Sequence, residues 1–253
     1  ALTPAGNIMY EGFQGILGLY DSTLFKAGET MVSKHGRLKT GYHGSLTAFT
    51  PLYQGFREKE PDIEPSVRVA EWVQLAQMLA SGELDIAFIE RHDVETRPEL
   101  EWLLFFNEPY FCAAMSTSHP LATRRSVNIS ELAGENILMN GFNSASMDSM
   151  YRQLLSNGLQ KEKIKLVENV DGQIAMAASG MGLATMPRFL AMPGNPAITW
   201  VPVTGLDFKC EIVIAWKKGN TNPCRIPFMN YCMNPDVVSA LRASWPAALD
   251  AGR

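Results

Sequence analysis

The residue types that most often carry chemistry are few in this chain and widely spaced. Its four histidines, His35, His43, His92 and His119, lie far apart, and no H-E-x-x-H, G-x-S-x-G, Walker loop or glycine-rich dinucleotide turn surrounds any of them. The four cysteines, Cys112, Cys210, Cys224 and Cys232, match no zinc spacing, so buried reduced thiols are expected. Cys224 and Cys232 are close enough in sequence for a redox pair, but no basic pattern beside them suggests a lowered thiol pKa. Two carboxylates, Glu71 and Asp171, could meet in a cleft, although nothing in the sequence sets their separation. The expectation is no enzyme, no metal and no cofactor. Binding chemistry remains: several inferred helix starts carry hydroxyl or amide side chains, and free N–H groups at such ends suit an anion.

Those groups must be positioned by a fold, and the composition permits a large one. The chain has 253 residues, 46% of them apolar and 19% charged, enough for one large or two modest cores. A net charge of −4 argues against a broadly basic surface of the kind that neutralises nucleic-acid phosphates. The longest apolar runs, such as Ile212–Trp216, have strand length and cannot span a bilayer. Ala1 is not an initiator methionine, so a processed product or a fragment is expected.

From residue 38 short strand-like runs alternate with longer helical ones, which predicts an α/β sheet with crossover helices. Leu38–His43, Ser66–Val69 and Leu84–Ile89 read as strands. Between them lie a helix capped by Ser45, burying Leu46, Phe49, Leu52, Tyr53 and Phe56, and a helix over Trp72–Ser81 that turns Val73, Ala76 and Leu79 inward and stops at Gly82. The pattern then repeats. Glu135–Asn140, Lys163–Val167 and Leu183–Met186 read as strands; one helix begins at Ser144 and stops at Gly158, and another is opened by Asp171 or Gly172 and ended by Gly180. Two βαβ-type lobes around a cleft follow, joined by extended crossings near Tyr110–Met115 and Glu211–Trp216. Before them, Thr3 can cap a helix carrying Met9, Phe13, Ile16, Tyr20 and Leu24 on one face.

Four strings then carry a likeness. Leu79-Ala80-Ser81-Gly82-Glu83-Leu84-Asp85-Ile86-Ala87 resembles the "L-x-x-G-E-L-D-x-A" of LysR-type transcriptional regulators, and His119-Pro120-Leu121-Ala122 resembles their "HPLA". Gly180-Met181-Gly182-Leu183, with Met186-Pro187, resembles "G-x-G-I-x-x-L-P", and Leu2-Thr3-Pro4-Ala5-Gly6 resembles the "LT-x-AG" before the family's linker helix. The resemblance runs from Leu2 to about Trp216. It implies a linker or dimerisation helix over 1–30, one regulatory lobe from 38–115 and 217–253, and a second from 116–216, with the fold of type 2 periplasmic binding proteins. It further implies a cytoplasmic homodimer or homotetramer that meets DNA only through a winged helix-turn-helix domain preceding Leu2, and has no membrane partner. A periplasmic solute-binding protein of a transporter is the other reading of the same fold.

Effector pockets in the family lie between the lobes, which points to Tyr42, His43, Ser45, Thr47 and Trp72 in the first, and to Phe142, Asn143, Ser144, Asp171 and Gln173 in the second. Helix-start hydroxyls and N–H groups suit a small anionic metabolite, and the aromatic residues suit an apolar body on it. Arg91, His92 and Arg188 could add charge or sit in solvated loops. Replacing Ser45 or Asn143 by Ala is expected to weaken effector binding without unfolding the protein. Calorimetry checks this, and unchanged affinity in both variants removes the two residues from the pocket.

Overall fold

The alternating pattern becomes two sheets in the computed structural model, which describes residues 36–44, 48–108, 111–140, 145–191, 194–207 and 210–245, with positions 3, 5, 6, 9, 12, 13 and 16 before them. The first sheet is built from β1 (Gly36–Tyr42), β2 (Ile63–Val69), β3 (Ile86–Glu90) and β4 (Leu100–Glu108). Helix α1 (Thr50–Lys59) joins β1 to β2, and α2 (Trp72–Ser81) joins β2 to β3. The second holds β5 (Phe111–Ser116), β6 (Val127–Asn128), β7 (Ile137–Asn140), β8 (Ile164–Val167), β9 (Leu183–Pro187) and β10 (Ile198–Thr204). Here α3 (Ala145–Ser156) and α4 (Val170–Ala178) make the corresponding crossovers. The chain then returns to the first sheet with β11 (Cys210–Lys217), followed by α5 (Arg225–Cys232) and α6 (Pro235–Ala243). Strand order is β2-β1-β3-β11-β4 in one sheet and β6-β10-β5-β9-β7-β8 in the other. In each, three parallel strands (β2-β1-β3 and β8-β7-β9) meet an antiparallel fourth, β11 or β5.

The fourth strands correct the expected lobe boundaries. Divisions at 115/116 and 216/217 treated β5 and β11 as linkers, but β5 lies in the second sheet and β11 in the first. The chain changes halves between Glu108 and Phe111, and again between Thr204 and Cys210. Burial explains the shift. Cys112–Met115 and Ile212–Ala215 are each wholly buried, as central strands are and exposed linkers are not.

Local chemistry moves several ends. Helix α1 begins at Thr50, not at Ser45, because Pro51 occupies its first turn, where a missing N–H costs nothing. Its inward face carries Phe49, Leu52 and Phe56 as expected; Leu46 and Ser45 lie outside the described residues. Helix α2 has the expected bounds and ends at Gly82 in the left-handed conformation, but Leu75 takes the buried position expected of Val73. The cap of α4 is Asn169, whose side chain accepts from Gly172 N at 2.8 Å, two residues before the expected start. Before β1, Ala5, Gly6, Met9, Gly12, Phe13 and Ile16 are helical, and Gly6 N donates to Thr3 Oγ1 at 3.1 Å. Pro4, Tyr20 and Leu24 lie outside the described residues.

The core of the first half centres on Phe88, stacked on Phe49 at 4.7 Å and met by Phe105 at 5.0 Å. The returning chain contributes Phe228, set edge-on to Phe56 at 4.8 Å. What ties that return in place is Asp85, the acidic residue of the Leu84-Asp85 string. Its carboxylate accepts from Lys39 N at 2.8 Å and from Asn222 Nδ2 at 2.9 Å, and Asn220 Nδ2 donates to its carbonyl at 3.1 Å. Other strings are also structural. His119 caps a short 3-10 turn by accepting from Leu121 N, and its other nitrogen lies 3.3 Å from Glu135. Gly182 runs so close to Asn136 that a Cβ there would sit 2.6 Å from its carbonyl oxygen. Hydrogen bonds to a charged group contribute about 1.5–3 kcal/mol each. Asp85→Ala is therefore expected to lower unfolding free energy by about 2 kcal/mol or more, read as a reduced urea midpoint with unchanged slope.

Candidate functional site

The carboxyl ends of β1, β2 and β3 and those of β7 and β9 supply one junction between the halves. There His43, Trp72 and Glu90 from the first half meet Asn140, Gln173 and Thr185 from the second around a small cavity of about 30 Å³. That volume holds about one water molecule. His43 and Val170 also border an outer cleft of about 400 Å³, lined further by Glu71, Gln74, Glu168 and Asp171. A hydrogen bond spans the halves at this point, from Asn140 Nδ2 to Glu71 Oε2 at 3.0 Å.

Each polar group is held by the element that carries it. Glu71 caps α2 and exchanges bonds with Gln74 in a capping box. Burial raises its carboxyl pKa, and the bond from Asn140 offsets part of that rise. Gln173, 2% exposed, donates to Leu138 O at 2.8 Å, which fixes the amide against β7. His43 is 4% exposed, and its ring lies 4.3 Å from that of Trp72. Burial pushes its pKa down to about 4, against a smaller upward effect of its bond to the Ala70 backbone. The imidazole is neutral at pH 7. Its Nδ1 lies 3.4 Å from Glu71 Oε2 without a hydrogen bond.

The expected residues divide among three places. His43, Trp72 and Gln173 line the inner cavity, and Asp171 lines the outer cleft with Glu71. Tyr42 points elsewhere: it packs on Phe49 at 4.7 Å and borders a separate hollow between α1 and β2. Burial raises its hydroxyl pKa to about 12. Ser45, Thr47, Phe142, Asn143 and Ser144 lie outside the described residues. Arg91 turns away to Glu95 and Glu211, both at 3.0 Å, and His92 also meets Glu95. Arg188 is no solvated loop residue; it is 5% exposed and reaches the wholly buried Glu108 at 3.2 Å, beside the crossing from β4 to β5. The sequence reading missed Asn140 and Thr185. Asn140 could have been found as the last residue of its strand, whereas Thr185 looked like one more position in an apolar run. Among the described residues no cluster of His, Cys, Asp or Glu could hold a metal. Cys112, Cys210 and Cys232 are thiols whose pKa burial raises.

This arrangement, with two sheets linked by paired crossings and polar groups gathered between them, agrees with a match of residues 33–232 to the LysR substrate binding domain. The chain belongs to this family. It is 26% identical over 225 residues to the HTH-type transcriptional regulator BudR of Raoultella terrigena, covering 86% of this chain and 76% of that protein. The effector binding domain of BenM, solved with its effector benzoate, superposes with a TM-score of 0.68 at 20% identity, over 85% of this chain and 97% of that one. That of QuiR, solved in complex with shikimate, gives 0.67 at 19% identity, over 79% and 96%. The LysR substrate-binding domain thus has the type 2 periplasmic-binding-protein-like fold that its sequence strings imply.

Neutral His43 makes this domain's stability depend on pH. As pH falls from about 6.5 towards 4, the unfolded chain takes up a proton at this residue and the folded one does not. The contribution is full above about pH 6.5 and is lost as pH falls through about 4, a loss on the order of 3 kcal/mol. Glu71, the nearest carboxyl group, is shifted upward and acts in the opposite sense. Urea midpoints for wild type and His43→Asn isolate the term. The wild-type midpoint is expected to fall more steeply across that window.

Proposed function

We propose that this chain is the effector-sensing part of a LysR-type transcriptional regulator, and that a small metabolite enters between the two halves and sets the regulator's state. The observation that carries this reading is the convergence of buried polar side chains from both halves on one cavity at the strand ends, with the Glu71–Asn140 bond bridging the gap. Open α/β sheets bind ligands at that position. A regulator is supported further by BudR, itself named as one, and by the family match; a transporter's solute-binding protein has no such support.

In the proposed mechanism the ligand touches both halves, so it favours one closure angle over others. An acidic group on the ligand finds N–H donors at the start of α4. The protein acts in the cytoplasm as a homodimer or homotetramer, and closure alters the spacing of winged helix-turn-helix domains lying outside residues 1–253. DNA contact falls to those domains, since this chain carries a net charge of −4. No helix among the described residues is long and apolar enough to cross a membrane.

A thermal-shift screen of small metabolites, followed by calorimetry and solution scattering, tests the reading. The ligand found is expected to bind at least about tenfold more weakly to Trp72→Ala and Gln173→Ala and to change the scattering envelope of the wild type. A ligand indifferent to both substitutions sinks the cleft as the effector site.

A further inference from the structure

The 3-10 turn Arg188–Leu190 follows β9 of the second sheet, yet each of its three buried side chains meets the first half. At one end Leu190 lines the inner cavity, and it stands so close to Gly44 that a Cβ there would lie 2.3 Å from its Cδ2. At the other end Phe189 lies edge-on to Phe106 at 5.6 Å and 6.1 Å from the ring of Trp245. Arg188 holds the buried Glu108 at 3.2 Å and sets its guanidinium 5.6 Å from that same ring. Pro187 precedes the turn and Ala191 N donates to Arg188 O at 2.9 Å, so the three residues form one short, stiff unit. Trp245 directly follows α6, is buried, and packs on Phe106 at 5.0 Å. Arg242, within α6, donates through Nη2 to Asn107 O, and the helix rests on α1 and α5. None of the residues of α6 lines the cavity or the cleft. A close-packed interior passes on a displacement that it cannot absorb.

Resting on the effector-binding reading, we infer that the Arg188–Leu190 turn couples the inner cavity to the C-terminal helix α6. A group entering the cavity displaces Leu190, the turn moves as a unit, and Phe189 and Arg188 carry the displacement to Trp245. The buried Arg188–Glu108 pair tolerates little separation, so the turn pivots about that pair instead of sliding past it. Occupancy between the halves is thus read on a helix that touches no ligand.

Coupling between two sites is reciprocal, which supplies a test that needs no ligand. The five tryptophans are replaced biosynthetically by 5-fluorotryptophan, and their fluorine resonances are assigned by single Trp→Phe changes. Leu190→Ala, which alters the cavity wall, is expected to move the Trp245 resonance by more than a linewidth. Trp245→Leu is expected to move that of Trp72, which lines the cavity. Trp216, six residues along β11 from the cavity-lining Cys210, stays in place in both variants. Where Leu190→Ala fails to fold, the volume-conserving Leu190→Met takes its place. A Trp245 resonance unmoved in the folded Leu190 variant overturns the coupling. So does a Trp72 resonance indifferent to Trp245→Leu, which marks a local contact through Phe189 alone, and so does a shift of Trp216 as well, which marks general loosening. Any of these results leaves the effector site standing. That site falls only to a metabolite indifferent to Trp72→Ala and Gln173→Ala, whatever the tryptophan resonances do.

Discussion

Each sheet is built around a buried antiparallel strand that immediately follows a crossing of the chain between halves. β11 sits between β3 and β4, wholly buried from Ile212 to Ala215, and it enters only after the chain has built the second sheet. β5 holds the corresponding central place in the second sheet, between β9 and β10, and is the first of its strands in the chain. Removing either strand would strip a central hydrogen-bond ladder and its packed side chains. The second sheet is built from one continuous stretch, Phe111–Thr204, whereas the first closes only when the chain returns with β11.

The junction is correspondingly polar. An apolar seam would hold the halves shut, since each buried methylene contributes about 0.8 kcal/mol. Here the contacts include the Asn140–Glu71 bond and the buried Arg188–Glu108 pair, with neutral His43 and Glu90 close by. Buried ion pairs add little net stability, yet losing one partner costs about 3–5 kcal/mol because the other is left in a dry site. Arg188 and Glu108 therefore enforce geometry at the crossing more than they add strength. The polar groups nearer the mouth can exchange one partner for another at small net cost.

Much of the fold was legible because its signals are local. Pro51, Gly82 and the apolar spacing of α2 act within a few residues, and the family strings prove to be scaffold: Asp85 ties the C-terminal return, His119 caps a turn, and Gly182 permits a close backbone approach. None of those three lines the cavity, which is why the strings identify the fold and are silent on the ligand. The site was only partly legible. The strand-end rule leads to His43, Trp72 and Gln173, but successive strand residues face opposite sides, so Tyr42 enters the core under α1 when His43 faces the cleft. Thr185 escaped because it sits in a strand otherwise apolar enough to read as plain core. The crossing strands were misjudged for a related reason, since sequence pattern reports burial but not which sheet supplies it.

The size of the inner cavity has a kinetic consequence. A space of about 30 Å³ admits one water, so a metabolite could enter it only in conformations where the halves stand further apart. Entry then waits on opening, and the observed association rate saturates with ligand concentration instead of rising linearly. The measured dissociation constant is the intrinsic one divided by the fraction of molecules that are open. A substitution that changes only how often the halves stand open can thus retune the concentration at which the protein responds without touching what it recognises.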